Sequence, residues 1–310
     1  MALSSPPNWA DLPEDALMVV FERLGAAELL VGASVVCRSW LRLATGEPRL
    51  WRNVDLTGGC FDPTIDMEAM ARAAVDRAAG RLERFAADRF ATDELLVYIG
   101  KRTNCLKSLR LLTCMDISAK GLIAVGKGNP HLEELELTAC LTVRSIFKIS
   151  MEAVGHAFPH LKRLRLNSRW FDIQLDEFPD NYQAVGIARS MPELRSLQLF
   201  ANRLHNNALH DILDKCPHLE FLDLRHCFNI DVDAELKSKC SRLKDVRFPR
   251  DSTKDYEYET FVEASPLDSL TFEIDPPPPC PLHGFPGSDE DSVDDHFNYL
   301  VAVWQSLALG

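Results

Sequence analysis

The spacing Leu-x-x-Leu-x-Leu recurs through most of this chain and restricts its fold more than any other feature. Its clearest copies are Leu106-x-x-Leu109-x-Leu111-x-x-Cys114 and Leu132-x-x-Leu135-x-Leu137-x-x-Cys140. Leu161, Leu164 and Leu166 follow, then Leu194, Leu197, Leu199 and Asn202, then Leu219, Leu222, Leu224 and Cys227. Weaker copies hold Leu82, Phe85 and Ala87, Leu243, Val246 and Phe248, and Leu267, Leu270 and Phe272. Successive copies begin 24, 26, 29, 33, 25, 24 and 24 residues apart. Periods of this size belong to stacked coils, because one coil cannot bury its apolar face alone and its neighbours must complete the core. The alternation of the last two leucines predicts a short strand, with leucine inward and the residues beside it facing out. The Cys or Asn that follows predicts a turn whose side chain bonds the backbone of the adjacent coil. Ile117-x-x-x-Gly121-Leu122-x-x-Val125 and Leu209-x-x-Ile212-Leu213 have helical spacing and predict helices on the convex side. Trp51-x-x-Val54-x-Leu56 reads as a degenerate first copy.

Ahead of the repeats, residues 8–52 follow a different pattern. Pro13 suits the first turn of a helix, and Glu14 and Asp15 favour its positive end. Leu17, Val20, Phe21 and Leu24 form one apolar stripe, and Gly25 ends the helix. A second short helix is expected over Ala27 to Ala33. A third is expected from about Ser34 to Ala44, with Val36, Trp40 and Leu43 on one face. About forty residues bury too little surface to be firmly stable alone, so a partner is expected to cover part of this apolar surface.

The order Leu12-Pro13-x-Asp15-x-Leu17, Phe21-x-x-Leu24, Val36-Cys37-x-x-Trp40 and Leu50-Trp51 closely resembles an F-box. The periodic region resembles the cysteine-containing leucine-rich repeats that accompany F-boxes, in the short plant-type arrangement. The resemblance implies a small three-helix F-box followed by an α/β solenoid, with a curved parallel sheet inside and helices outside. It implies that Leu12, Pro13, Leu17, Phe21, Leu24, Val36 and Trp40 serve a Skp-type adaptor, as contacts or as F-box core. Through that adaptor the chain would join a cullin scaffold as the substrate-recognition subunit of an SCF-type ubiquitin ligase, holding a protein target on its repeats. An interaction scaffold that binds the adaptor and sends nothing to degradation is the alternative. The small-molecule cofactors of hormone-sensing relatives are not carried over, because those arrays are much longer; no cofactor is expected.

Composition narrows the classes further. No apolar run approaches the roughly eighteen residues that span a bilayer, and Met1 to Pro7 lack the basic and apolar regions of a signal peptide. Nine cysteines without a CxxC pair read as reduced thiols, which points to cytoplasm, nucleus or both. The formal net charge is −12, and residues 253–310 hold twelve acids against one base. So acidic an end repels phosphate backbones and argues against nucleic acid as the main partner. No membrane partner is expected either. No GxSxG, Walker A, HExxH or zinc-ligand pair is present, so no catalytic residue or metal site is assigned and the chain is not expected to be an enzyme. His131, His160 and His218 recur just before strands, which reads as solenoid surface.

The expected organisation is a disordered stretch over 1–7, the F-box over 8–52, the repeat domain over 53–275, a Pro-rich acidic linker over 276–296 and an amphipathic helix over 297–310. That helix would either cover the last repeat or bind a partner. Down the concave side run Arg110, Glu136, Arg165, Gln198, Asp223 and Arg247, where alternating charges should pair laterally. Beside them Leu112, Phe200 and Phe221 are expected to stand exposed, with Arg225 close by, either as a substrate site or with the two phenylalanines only shielding strand edges. The long repeat between Leu161 and Leu194 carries Trp170, Phe171 and Tyr182, which would either wall the same face or pack on the convex side. The repeats thin out after Phe248, where Asp255-Tyr256-Glu257-Tyr258-Glu259 breaks the helical pattern.

Overall fold

The alternating leucines become one sheet. In a computed structural model, which describes residues 12–58, 65–140, 149–168 and 181–258, eight parallel strands stand side by side in chain order. They are β1 (Asn53–Leu56), β2 (Arg84–Asp88), β3 (Ser108–Leu112), β4 (Glu134–Thr138), β5 (Arg163–Asn167), β6 (Ser196–Gln198), β7 (Phe221–Asp223) and β8 (Asp245–Arg247). Register aligns Val54, Phe85, Leu109, Leu135, Leu164, Leu197, Leu222 and Val246 as one continuous row. All but Val246 are buried. Slipping any strand by one residue would turn its leucines to solvent, so the pattern fixes the register. The α/β solenoid expected from the repeat, with Trp51-x-x-Val54-x-Leu56 as its first strand, is the fold observed.

Each coil returns through a helix: α5 (Met67–Arg77), α6 (Asp93–Arg102), α7 (Ala119–Gly128), α8 (Met151–Ala157), α9 (Asn181–Ser190), α10 (Asn206–Lys215) and α11 (Ala234–Cys240). The expected helices around Leu122 and Leu209 are α7 and α10. Their starts are written locally. Asp66, Thr92, Ser118, Ser150 and Asp233 each accept a hydrogen bond from a first-turn N–H, which satisfies a donor the helix leaves free. Gly100 and Gly128 let α6 and α7 approach. A Cβ on Gly100 would strike the Ala124 carbonyl, and one on Gly128 the Gly100 carbonyl.

Five coils turn out of their strands on a non-glycine residue with positive φ: Arg89 (72°), Thr113 (53°), Ala139 (55°), Ala201 (55°) and His226 (62°). The N–H of each donates forward, to the carbonyl of Leu112, Thr138, Asn167, Arg225 or Pro249 in the next coil, at 2.8 or 2.9 Å. The following residue reaches back. Cys140 Sγ donates to Leu111 O (3.1 Å), Asn202 Nδ2 to Leu166 O (2.6 Å) and Cys227 Sγ to Leu199 O (2.7 Å). Cys114 Sγ lies farther from Ala87 O, at 3.9 Å. The structural role expected of Cys and Asn at this position is therefore present, paired with a left-handed neighbour that the sequence pattern does not reveal.

The region that resembles an F-box comprises α1 (Glu14–Phe21), α2 (Ala26–Glu28), a π-helical turn (Leu29–Ala33), α3 (Ser34–Val36), α4 (Arg38–Gly46) and a 3-10 turn (Pro48–Trp51). The expected second and third helices are divided differently. Helical backbone runs unbroken from Ala26 to Val36, and the break falls at Cys37, whose extended backbone (φ −160°, ψ 170°) starts α4. Leu17, Phe21, Leu29, Leu30 and Trp51 join the same apolar core as the repeats. Trp51 is fully buried at the junction; its Nε1 donates to Ala44 O at 2.7 Å, and the Arg77 guanidinium lies 4.9 Å from its ring. Burial pulls the Arg77 pKa down to about 10. The stretches expected over 1–7, 276–296 and 297–310, and the repeat copy at Leu267, lie outside the described residues. No helix among the described residues is long and apolar enough to cross a membrane.

The left-handed turns give a direct test. Positive φ costs a residue with a Cβ about 1–2 kcal/mol, and glycine's extra freedom when unfolded offsets only part of the relief. Ala139→Gly is expected to hold or raise stability by up to about 1 kcal/mol. Ala139→Val should lower it by about 1–2 kcal/mol, because β-branching worsens the same clash. Urea unfolding should rank the three Gly, Ala, Val; the reverse ranking would contradict the left-handed assignment.

Candidate functional site

The concave side is charged. Register sets Asp55, Ala86, Arg110, Glu136, Arg165, Gln198, Asp223 and Arg247 in one row along its middle. The lateral pairing expected of this row is present. Arg110 Nε lies 2.9 Å and Arg165 Nη1 3.4 Å from Glu136 Oε2, and Gln198 Nε2 donates to Asp223 Oδ2 at 2.9 Å. Two guanidinium groups thus share the single carboxylate of Glu136, which is only 3% exposed.

Beyond β8 the chain turns back and lies across this row. Asp255 Oδ1 pairs with Arg225 Nη1 at 2.5 Å, and Asp255 Oδ2 lies 3.7 Å from Arg247 Nη2. Tyr256 stacks on Phe200, ring centroids 3.9 Å apart and planes 12° from parallel. Glu257 reaches Arg110 at 2.6 Å and Arg165 at 2.7 Å. Tyr258 accepts from Arg110 at 3.0 Å and donates to the carboxylate of Glu136. Four consecutive residues, running from the β7–β8 end toward β3, therefore each engage the floor of the groove.

The charges settle accordingly. The hydrogen bond from Arg225 holds the Asp255 carboxyl below the usual aspartate range. Burial pushes Glu257 upward, but the hydrogen bond and charge of Arg165, with Arg110, outweigh it and leave Glu257 lowered. Hydrogen bonding to Asp223 raises Arg225 further above its already high value. Burial, chiefly, raises both phenols, Tyr256 and Tyr258, above their ordinary range.

This geometry corrects the expected substrate site. Phe200 is 1% exposed, covered by Tyr256 and by His226 (centroids 4.8 Å apart), and Arg225 is 4% exposed between Asp223 and Asp255. Neither is open surface. Phe221 is exposed, and Leu112 is half-buried at the end of β3. Trp170 and Phe171 lie outside the described residues; Tyr182, on α9, is exposed. The residues that sequence reasoning missed are Asp255 to Tyr258. Their signal is the alternation of acid and aromatic in Asp255-Tyr256-Glu257-Tyr258, complementary to the arginines of a mixed-charge row. Among the described residues the groove continues past Glu257 as a cavity of about 350 Å³, lined in part by Arg84, Glu134, Arg163 and Arg165.

The N-terminal helices present another chemistry. Pro13, Val19, Val20, Val35 and Val36 are exposed, the two outer valines each at 54%. Leu12, Leu24 and Trp40 are half-buried. Leu17 and Phe21 are buried core, with Phe21 edge-on to Trp40 at 5.4 Å, so they cannot be surface contacts. Val20, expected on the buried stripe, is 40% exposed instead; Val19 and Val35 were not foreseen at all. Trp40 Nε1 is buried and has no hydrogen-bond partner among the described residues.

A family model described as F-box-like matches residues 9–57, and a model of the leucine-rich repeats of an FBD-associated F-box protein matches residues 132–274. Among Arabidopsis thaliana proteins, the chain is 37% identical to F-box protein SKIP19 over 88% of this chain and 88% of that one. It is 40% identical to F-box/LRR-repeat protein 22 over 85% of this chain and 84% of that one. It is 42% identical to F-box/LRR-repeat protein 23 over 79% of this chain, and there it spans about half of the relative, 54%. A solved structure of the yeast Rad7 and Elc1 complex is similar over 78% of this chain and 70% of that one, with a TM-score of 0.44 and 15% identity.

Docking of 255–258 should depend on pH in a defined sense. Asp255 and Glu257 are depressed below their ordinary values of 3.8 and 4.5, so their contribution is full above those values and is lost as pH falls through the depressed ones. Tyr256 and Tyr258 are raised above 10.0, so their contribution is full below that value and is lost as pH climbs through the raised ones. Amide exchange of 253–258, corrected for its intrinsic rate, should therefore be protected evenly from about pH 5 to pH 10. Protection should fall as pH is lowered below 3.8 and through the depressed values of the two acids, while β3 to β5 stay protected. Loss of protection inside that window would contradict the ion pairs.

Proposed function

Because the chain belongs to the F-box/leucine-rich-repeat family, we propose that it is the substrate-recognition subunit of an SCF-type ubiquitin ligase. In this reading residues 8–52 hold a Skp-type adaptor, and through it a cullin scaffold, while the repeats of 53–275 hold a target protein. One observation carries the reading: four valines, Val19, Val20, Val35 and Val36, are left in solvent while Leu17, Met18 and Phe21 on the first of the same helices are buried. Apolar side chains grouped on so small a module, beside a fully formed core, are the usual mark of a surface completed by another protein. Pro13 and the half-buried Leu12, Leu24 and Trp40 extend the proposed contact, while Leu17 and Phe21 support it from within. The chain would act by holding a target near a separate conjugating enzyme, which is catalysis by proximity and needs no reactive side chain here. Degradation of the target, in cytoplasm or nucleus, would follow.

Capture of a recombinant Skp-type adaptor by the full chain tests this. Val35→Asp with Val36→Asp, and separately Leu12→Ala with Pro13→Ala, are expected to weaken capture at least tenfold, about 1.4 kcal/mol or more, as loss of interface anchors does. Thermal unfolding should barely move, because these side chains are not in the core. Phe21→Ala should instead cost about 3–5 kcal/mol of stability. Undiminished capture by both double variants would overturn the assignment.

A further inference from the structure

Residues 255–258 are held to the concave face by side chains alone. Tyr256 N–H bonds Thr253 O within its own turn, and none of the four residues adds a backbone hydrogen bond to the sheet. None of them belongs to the buried core. Each of the four nevertheless meets a complementary group: acid on Arg225, aromatic on Phe200, acid on Arg110 and Arg165, phenol on Glu136. The floor is shaped for an occupant of this kind. Phe200 is shielded by the aromatic ring laid on it, and Arg110 and Arg165 share one carboxylate until Glu257 brings a second. Among the described residues the groove continues for about 350 Å³ beyond Glu257, with Arg84, Arg163 and Arg165 along it beside Asp55, Glu134 and Glu136.

We propose that the concave face is a receptor for an extended acidic and aromatic peptide on a partner protein, acid-Tyr-acid-Tyr in character, and that Asp255-Tyr256-Glu257-Tyr258 fills it as an internal ligand. This rests on the reading that the repeats hold a target and gives that target its chemistry. Recognition follows from what the floor offers. Guanidinium groups at two levels take carboxylates in charge-assisted bonds, and the apolar shelf of Phe200 between them takes a ring. The internal segment sets a threshold. It is tethered a few residues after β8, so its effective concentration at the groove is of millimolar order. A partner carrying the same motif displaces it only with further contacts, and the groove that the described residues line past Glu257 offers charged groups for them.

The test uses the full chain and a fluorescent peptide of sequence Thr-Lys-Asp-Tyr-Glu-Tyr, followed by anisotropy. The unaltered chain should bind it weakly. Asp255→Ala, Tyr256→Ala, Glu257→Ala and Tyr258→Ala combined should vacate the groove and tighten binding at least tenfold. Adding Arg110→Ala and Arg165→Ala should abolish that gain. Raising salt from about 0.05 to 0.5 M should weaken binding, since the carboxylate contacts are partly exposed and screened. A milder pair, Glu257→Gln with Tyr258→Phe, keeps every shape and should tighten binding about threefold if the fourfold variant melts early. The same peptide with lysine in place of both acids should not bind. If both vacated variants bind the peptide no better than the unaltered chain, or bind equally without the two arginines, the segment is a fixed part of the fold and the proposal falls. Adaptor capture is read in the same samples. Its loss with peptide binding retained would sink the ligase reading and leave the receptor standing; the opposite result would do the reverse.

Discussion

Everything in this molecule depends on coils completing one another. The inward row from Val54 to Leu222 is buried only because each strand lies in register with the next. The turns add bonds of fixed direction: the left-handed residue donates forward to the next coil, and the Cys or Asn after it donates back. Such contacts are local between neighbours, which makes the array a one-dimensional stack whose ends need closing. At the N-terminal end the F-box does this, through Trp51 and the α2 to α4 core continuous with the first strand. The F-box is therefore no appended bead. Its fold and the first coil share one apolar interior.

The concave face obeys a different constraint. Arg225 is 4% exposed and Glu136 is 3% exposed, and charges that deep are tolerated only when paired and hydrogen-bonded. Asp223 meets that need for Arg225, and Arg110, Arg165 and Thr138 meet it for Glu136. The floor is consequently self-consistent before residues 255–258 arrive. Those residues add partners whose pKa values respond, but they add no member to the core. A strand pair removed from this molecule would unravel the stack; residues 255–258 removed would leave sheet and helices with all their own bonds.

The sequence made the array legible because its leucines repeat with a period that only stacking satisfies. Strand register, the convex helices and the role of Cys140, Asn202 and Cys227 all followed from that spacing. What it hid came from two physical sources. Left-handed backbone at Arg89, Thr113, Ala139, Ala201 and His226 carries no glycine to betray it. It is set by interactions with the next coil, so tertiary contacts override local preference. The site was misjudged for a similar reason. Reading outward positions strand by strand places Phe200 and Arg225 on the surface, correctly for an isolated sheet, yet a segment 56 residues after Phe200 covers that ring. Contacts of such long range have no period to announce them. In the F-box the stripe through Leu17 and Phe21 was read correctly, whereas Val20 turns outward because the neighbouring helices cover only part of that face.

The two surfaces differ in a way that bears on how each would be used. The F-box exposes valines and a proline, groups that gain by leaving water and that salt does not screen. A contact of that kind, once made, holds across ionic conditions. The groove offers guanidinium groups and an aromatic shelf, and its occupant is attached through charges that screening weakens. A contact of that kind weakens as salt rises. An apolar surface at one end and a charged groove along the stack would suit a chain that stays on one partner while changing another. That division arises from the sequence itself: apolar surface concentrated in 12–51, arginines set at the outward positions of the repeats, and acids gathered after Lys254.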